Sequence, residues 1–543
     1  MFIFEKIKVS ILLLSLSYFT YFKEKLQMIN QIKLILKSNH LYITLLLVLV
    51  ACNVPEEPSV VTDFCSKIHR NDSLTLSNEL ADIAELMETK TGVYVLEDGS
   101  GSMITRAWLT EYSEQKIDIQ YFIFSTDNVG LIACDYLIRA ADRGVKVRII
   151  VDDIMVDADI QDILTFDSHE NITVKVYNPG VNLGKNIIDK IQKFSTDFRS
   201  ANQRMHNKTF IVDGKVVITG GRNIADEYFD YDHEYNFRDR DILLVGKETK
   251  NVSTSFNEFW NSEFCKNASD IIDEEAENAK AEDRFNNLHE YACNPENFWP
   301  QVRERITVLP TTFKVIKNSG DLVWLDDVQF ISDMPGKNDG TKGLQGGGIT
   351  TSALINLVKN AVSSIDIQTP YLITTELAQN LFKAAVERGV KIRILTNSLA
   401  STDNLEAFSS YQTDRETLLN TGIRIFEFRP DAAERTKIMT GEIQAELDYK
   451  PIFGLHAKSM VIDNEITVVG TFNLDPRSAN LNTECIVIVH SDKVSKGVAE
   501  GMEIEFQPEN SWETTLDFNP DSEVSNYKRV KTWTRKVIPK EIL

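Results

Sequence analysis

The chain has 543 residues, a formal net charge of −22 at pH 7, and 43% hydrophobic and 25% charged residues. The length allows two to four domains with large cores, and the composition is that of a folded protein. The acidic balance argues against nonspecific nucleic-acid binding, which needs clustered Lys and Arg, and against docking on an anionic membrane by net charge. An anionic substrate must therefore meet local positive charge.

In chain order, the first element is an apolar stretch, "LYITLLLVLVACN" (41–53), preceded by Lys33 and Lys37. It is too short for a spanning helix of roughly 20 residues, and its basic flank is that of a signal peptide. It ends Leu49-Val50-Ala51-Cys52, which resembles the lipobox of bacterial lipoproteins. The resemblance implies cleavage before Cys52, acylation of that cysteine, and an exported lipoprotein held at a membrane, on the periplasmic face or outer membrane. An earlier apolar run (9–22) leaves a two-segment anchor as the alternative; translation from Met28 would give a complete signal peptide. Residues 1–52 are thus read as a signal segment and 53–90 as a tether and N-terminal helix.

The body is two copies of one unit. "KIDIQYFIFSTDNVGLIACDYLIRAADRGVKVRIIVDD" (116–153) is matched by "SIDIQTPYLITTELAQNLFKAAVERGVKIRILTNS" (364–398). Each reads as an alternating apolar strand, an amphipathic helix stopped at Gly144 or Gly389, and a second strand. The fold class expected is α/β: two homologous α/β domains, each a mixed sheet flanked by helices, forming one bilobal unit. They span 91–270 and 346–520. Residues 271–345 are read as an acidic helix and linker, with "GKNDGTKGLQGGG" (336–348) as a loop that lacks a P-loop pattern. "EDGSGS" (97–102) is read as a loop. Cys265 and Cys293 bracket the acidic insertion and are the suggested disulfide; no C-x-x-C spacing indicates structural zinc.

Each copy then reaches the same arrangement, "QRMHNKTFIVDG" (203–214) and "GLHAKSMVIDNE" (454–465). Residues i and i+2 of a strand share a face, so His206 projects with Lys208 and His456 with Lys458. The full pattern, His-x-Lys-x4-Asp-x6-Gly-[Gly/Thr]-x-Asn, takes in Asp213 and Asn223, then Asp463 and Asn473. Twice in one repeat, this is a strong signal. The chemistry suits a phosphate diester. Lysine ammonium groups supply charge for nonbridging oxygens, and the asparagines add neutral donors. One neutral histidine can attack phosphorus while the other, protonated, donates to the leaving oxygen. No metal and no other cofactor is expected.

These motifs are identified as the HKD motifs of the phospholipase D superfamily. "GTFNLDPRSANLNTE" (470–484), with "NFRDRDILLVG", resembles its cardiolipin synthase-like branch. The resemblance implies a phospholipid substrate, a membrane, no nucleic acid, and one site made by both halves, hence a functional monomer. It implies a phosphatidyltransferase working through a phosphohistidine, with a phospholipase D-type hydrolase as the alternative. It counts His206, Lys208, Asp213, His456, Lys458 and Asp463 as motif members, though the two aspartates are placed to hold a turn. It also implies an acidic residue orienting each histidine. Glu484 is expected for His456 and Asp239, with Asp241 second, for His206. His206 is the nucleophile by resemblance; the sequence itself is symmetric. Gly221 stands where many relatives carry Ser. The tail, 521–543, is basic and amphipathic, and fits either a packed surface helix or a membrane contact near the site.

Overall fold

The computed structural model describes residue 65 and residues 75–155, 160–180, 182–183, 202–272, 280–337, 343–433 and 451–543. The signal segment and Cys52 lie outside the described residues. Among the described residues no helix is long and apolar enough to cross a membrane.

The duplicated sequence becomes two sheets of matching order, nine-stranded and eight-stranded among the described residues. In the first, Lys116–Tyr121 runs parallel to Lys146–Asp152, which runs parallel to Ile172–Tyr177. On its other side Thr209–Val212, Val216–Gly220 and Asp241–Gly246 follow antiparallel. In the second, Ser364–Gln368, Lys391–Asn397 and Arg424–Phe428 form the parallel set. Ser459–Ile462, Ile466–Gly470 and Cys485–His490 form the antiparallel set. A parallel pair needs a crossover, and the amphipathic helices Asn128–Asp142 and Glu376–Glu387 supply it. Asp127 and Thr375 cap their N-termini through the amides of Gly130 and Ala378. Gly144 and Gly389, at φ 92° and 94°, let the chain leave each helix in the left-handed region that glycine tolerates.

An apolar core joins the two halves. Val93, Ile211, Val217 and Leu244 of the first sheet pack in one buried cluster with Val487 and Val489 of the second and Phe256 of the helix Thr249–Trp260. Burying each such side chain contributes about 1.5–3 kcal/mol, so the halves are not free to separate. The segment between them supplies an edge strand to each sheet, Val323–Leu325 to the first and Val328–Ser332 to the second.

Two local expectations are corrected. "EDGSGS" is not a loop: Asp98 caps the helix Gly99–Tyr112 by accepting from the Gly101 amide. The disulfide joins Cys293 to Cys65, not to Cys265. The buried Cys265 begins an edge strand and pairs with Tyr177, whereas Cys293 follows the helix Ala281–Ala292.

Candidate active site

Both histidines sit just before a central strand, and the residues that precede them reach across to the other half. Tyr235–Arg238 pairs in parallel with Ile452–Leu455, a two-stranded ribbon with one strand from each half. The chain leaves this ribbon at Asp239 on one side and His456 on the other, and the His456 amide donates to Arg238 O at 2.8 Å. The other histidine repeats the device with a single parallel bridge, Met205 to Thr483. Here the His206 amide donates to Thr483 O and the Thr483 amide to Arg204 O, both at 2.9 Å.

These pairings decide which carboxylate meets which ring. His206 Nδ1 lies 2.8 Å from Glu484 Oε2, and His456 Nδ1 lies 2.6 Å from Asp239 Oδ2. The expected assignment is therefore reversed: each histidine takes its carboxylate from the opposite half. The cause is the backbone pairing, because the residue after each parallel bridge is a histidine on one chain segment and a carboxylate on the other. Asp241 is not an orienting residue; it is held by Arg106 at 2.9 Å and by the Ser102 hydroxyl.

Asp213 and Asp463 sit at the far end of the strands that begin beside the lysines. Asp213 accepts from the amides of Glu114, Gln115 and Lys116, and Asp463 from those of Val362, Ser363 and Ser364. Both hold left-handed turn conformations, φ 52° and 54°. Their place is in the hairpin turns, away from the histidines, so they drop out of the reacting set.

His206, His456, Lys208 and Lys458 are all buried, at 7%, 5%, 1% and 4% exposure. Burial lowers both imidazoles, to about 4 for His206 and about 3 for His456, despite their carboxylates. Burial and the neighbouring Lys458 bring Lys208 down to about 7, and burial brings Lys458 to about 8. Burial opposes ionisation of Asp239 and Glu484 too. The facing histidines and lysines outweigh it and hold both carboxyls below their ordinary values. At neutral pH both rings are thus neutral, and the positive charge rests on the lysines.

The lysines share one contact and differ in another. Lys208 Nζ donates to the His206 carbonyl at 2.8 Å and lies over the Phe122 ring. Lys458 Nζ likewise donates to the His456 carbonyl, at 2.6 Å, and also reaches the His456 ring, 2.8 Å from Nδ1 and 3.0 Å from Nε2. Asn223 accepts from the Ile123 amide through Oδ1. The buried Asn473 Oδ1 has no partner among the described residues.

Several supporting groups were not picked out from the sequence. Phe122 packs edge-on against His206, and Tyr228 and Phe237 pack against His456. Asp152 closes the strand Lys146–Asp152 and accepts from the Met205 amide at 2.7 Å. Asn397 closes the equivalent strand and accepts from the Leu455 amide at 2.7 Å. Both thus fasten the residue just before a histidine. Their equal positions in the repeat were the available signal. Arg238 spans Glu97 and the fully buried Glu505, both at 2.6 Å, and so moors the ribbon beside Asp239. Nothing in the local sequence pointed to that network.

Paired imidazoles with cross-supplied carboxylates, two lysines and two asparagines on a duplicated α/β frame define the phospholipase D architecture. The family profile described as "Cardiolipin synthase, PLD-like domain" matches residues 109–260 and 354–505. Cardiolipin synthase C of Escherichia coli K12 is 30% identical over 441 residues, covering 78% of this chain and 87% of that protein. Cardiolipin synthase 1 of Bacillus cereus is 25% identical over 454 residues, covering 83% and 72%. The crystal structure of phosphatidylserine synthase from Haemophilus influenzae Rd KW20 shares the fold, with a TM-score of 0.53 at 12% identity over 86% of this chain and 100% of that one. The chain belongs to the phospholipase D-like cardiolipin synthase family, and with it to the phosphatidyltransferase and phosphodiesterase enzymes.

Proposed function

We propose that this enzyme transfers a phosphatidyl group between phospholipid headgroup alcohols, as cardiolipin synthases do, through a covalent phosphohistidine. The observation that carries the reading is the pair of neutral, buried imidazoles, each with Nδ1 bound to a carboxylate. That bond fixes the tautomer with the proton on Nδ1 and the lone pair on Nε2. Among the described residues His206 Nε2 has no recorded partner, whereas His456 Nε2 is met by Lys458, which supports His206 as the nucleophile. Its lone pair attacks phosphorus and the bond to the leaving headgroup oxygen breaks. A proton reaches that oxygen from His456, which takes it up as the phosphate anion enters; Asp239 favours the charged ring and Lys458 opposes it. An acceptor hydroxyl then returns its proton to His456, attacks phosphorus and frees His206.

Export as a lipoprotein acylated at Cys52, and action as a monomer at a membrane, are part of this proposal. The Cys65–Cys293 disulfide supports an oxidising compartment. The single site shared by two halves of one chain supports the monomer. The test is a lipid-product assay by mass spectrometry on vesicles of phosphatidylglycerol and phosphatidylethanolamine. Cardiolipin is expected from the parent, with at least a ~10³-fold loss in His206→Ala and in His456→Ala. Phosphatidic acid as the sole product would replace transfer by hydrolysis.

A further inference from the structure

The C-terminal helix Asn526–Trp533 and the turn Thr534–Val537 are assembled inside out. A surface helix normally turns its apolar stripe to the core. Here the packed face is polar: buried Thr532, with Lys528 donating to Ala400 O at 3.4 Å and Arg535 pairing with Glu406 at 2.8 Å. The outward face is apolar: Tyr527 is 76% exposed, Val530 61%, Trp533 67% and Val537 57%. At helical spacing these four fall within about a third of the circumference, opposite the packed residues. Exposed Arg529, Lys531 and Lys536 flank the stripe, in a chain whose net charge is −22.

We propose that this helix is a docking surface for a bilayer carrying anionic lipid, and that it presents the site to that surface. Trp and Tyr between basic residues suit the boundary of headgroups and acyl chains, where rings sit among chains and ammonium or guanidinium groups reach phosphates. The local basic cluster supplies what the acidic chain lacks, attraction to an anionic surface within a Debye length.

Its position ties it to the chemistry. The helix packs on the helix Leu405–Leu419, and its Lys528 reaches Ala400 in the segment just before it. The Ser401 carbonyl accepts from the Tyr235 hydroxyl. Tyr235 packs on Phe237, and Phe237 lies 4.7 Å from the His456 ring between centroids. The contacts from the helix to the histidine's own packing thus run through Ala400, Ser401, Tyr235 and Phe237. The inference rests on the phospholipid reading for the identity of the surface, and it adds how the site meets its substrate.

The test uses the full chain reconstituted in vesicles containing phosphatidylglycerol with brominated acyl chains. Trp533 is isolated as the fluorescence difference between the parent and Trp533→Phe. Its emission should be quenched by brominated lipid, and less so in vesicles of phosphatidylcholine alone. Val530→Glu with Val537→Glu should remove the quenching and lower turnover of vesicle lipid about tenfold, while turnover of the same lipid in detergent micelles is unchanged. Trp533 emission identical in brominated and plain vesicles would overturn the proposal, and so would shielding of Trp533 by a second copy of the chain. If the parent turned over lipid in neither vesicles nor micelles, the phospholipid reading would fail, and the quenching would still decide the docking by itself.

Discussion

At His206 the orienting carboxylate is long and well supplied. Glu484 Oε2 accepts from Thr471 Oγ1 at 2.5 Å as well as meeting the ring, and Oε1 accepts from Ser478 Oγ at 2.8 Å. At His456 the carboxylate is the shorter Asp239, whose Oδ1 accepts from the Arg240 amide at 2.7 Å. Gly221 occupies the place equivalent to Thr471, and a Cβ there would lie 2.1 Å from Asp239 Oδ1. One half thus gains a hydroxyl where the other gains space. The backbone device is shared and the side chains differ. A duplicated fold can therefore give two like residues unlike settings, one histidine whose Nε2 meets no partner among the described residues and one shadowed by lysine. Such a division suits a nucleophile and an acid.

Loss of either carboxylate should cost the most. Glu484→Gln and Asp239→Asn should each lower kcat by roughly 10²–10⁴, as loss of a tautomer-fixing carboxylate does. The difference between them is read in a single-turnover experiment. With His206 as the proposed nucleophile and His456 as the proposed acid, Glu484→Gln should slow formation of the phosphohistidine, whereas Asp239→Asn should act on headgroup release and on acceptor attack. A change at Gly221 should cost less. Gly221→Ser supplies the hydroxyl of the other half but no room for it, so kcat should fall by about tenfold as Asp239 is pushed from His456. A gain in kcat would show that the hydroxyl outweighs the crowding. The two lysines give a pH effect that involves both halves together. Lys208 and Lys458 titrate near 7 and 8, below the lysine value of 10.5. Their charge is present below these values and is lost as pH rises through them. Sulfate, whose own charge is constant there, should bind about tenfold more weakly at roughly pH 9 than at pH 6, measured by calorimetry.

The repeat, the α/β class and the motif residues were legible because periodicity and spacing are local properties of the chain. "VKVRIIV" and "VKIRILT" read as strands because they are apolar and β-branched, and strands they are. Gly144 and Gly389 marked the helix ends for the same reason. The turn role of Asp213 and Asp463 was also within reach, since each follows a four-residue strand. What could not be read was anything decided between the halves. Asp239 and Glu484 were found, but the sequence does not say which way two copies face, so each was given to the nearer motif. The parallel pairing of Tyr235–Arg238 with Ile452–Leu455 settles it. The Arg238 network with Glu97 and Glu505 joins residues more than 400 positions apart. The disulfide failed similarly: Cys265 is near Cys293 in the chain, but Cys65 is near it in space.

Each histidine is oriented by the carboxylate of the other half. Nitrogen NMR of protein labelled at histidine reads this crossing, with the His206 and His456 ring signals assigned as those missing from His206→Ala and His456→Ala. Glu484→Gln should shift the Nδ1 signal of His206 and leave that of His456 in place, and Asp239→Asn should do the reverse. A Glu484→Gln variant that moved His456 and spared His206 would contradict the crossing.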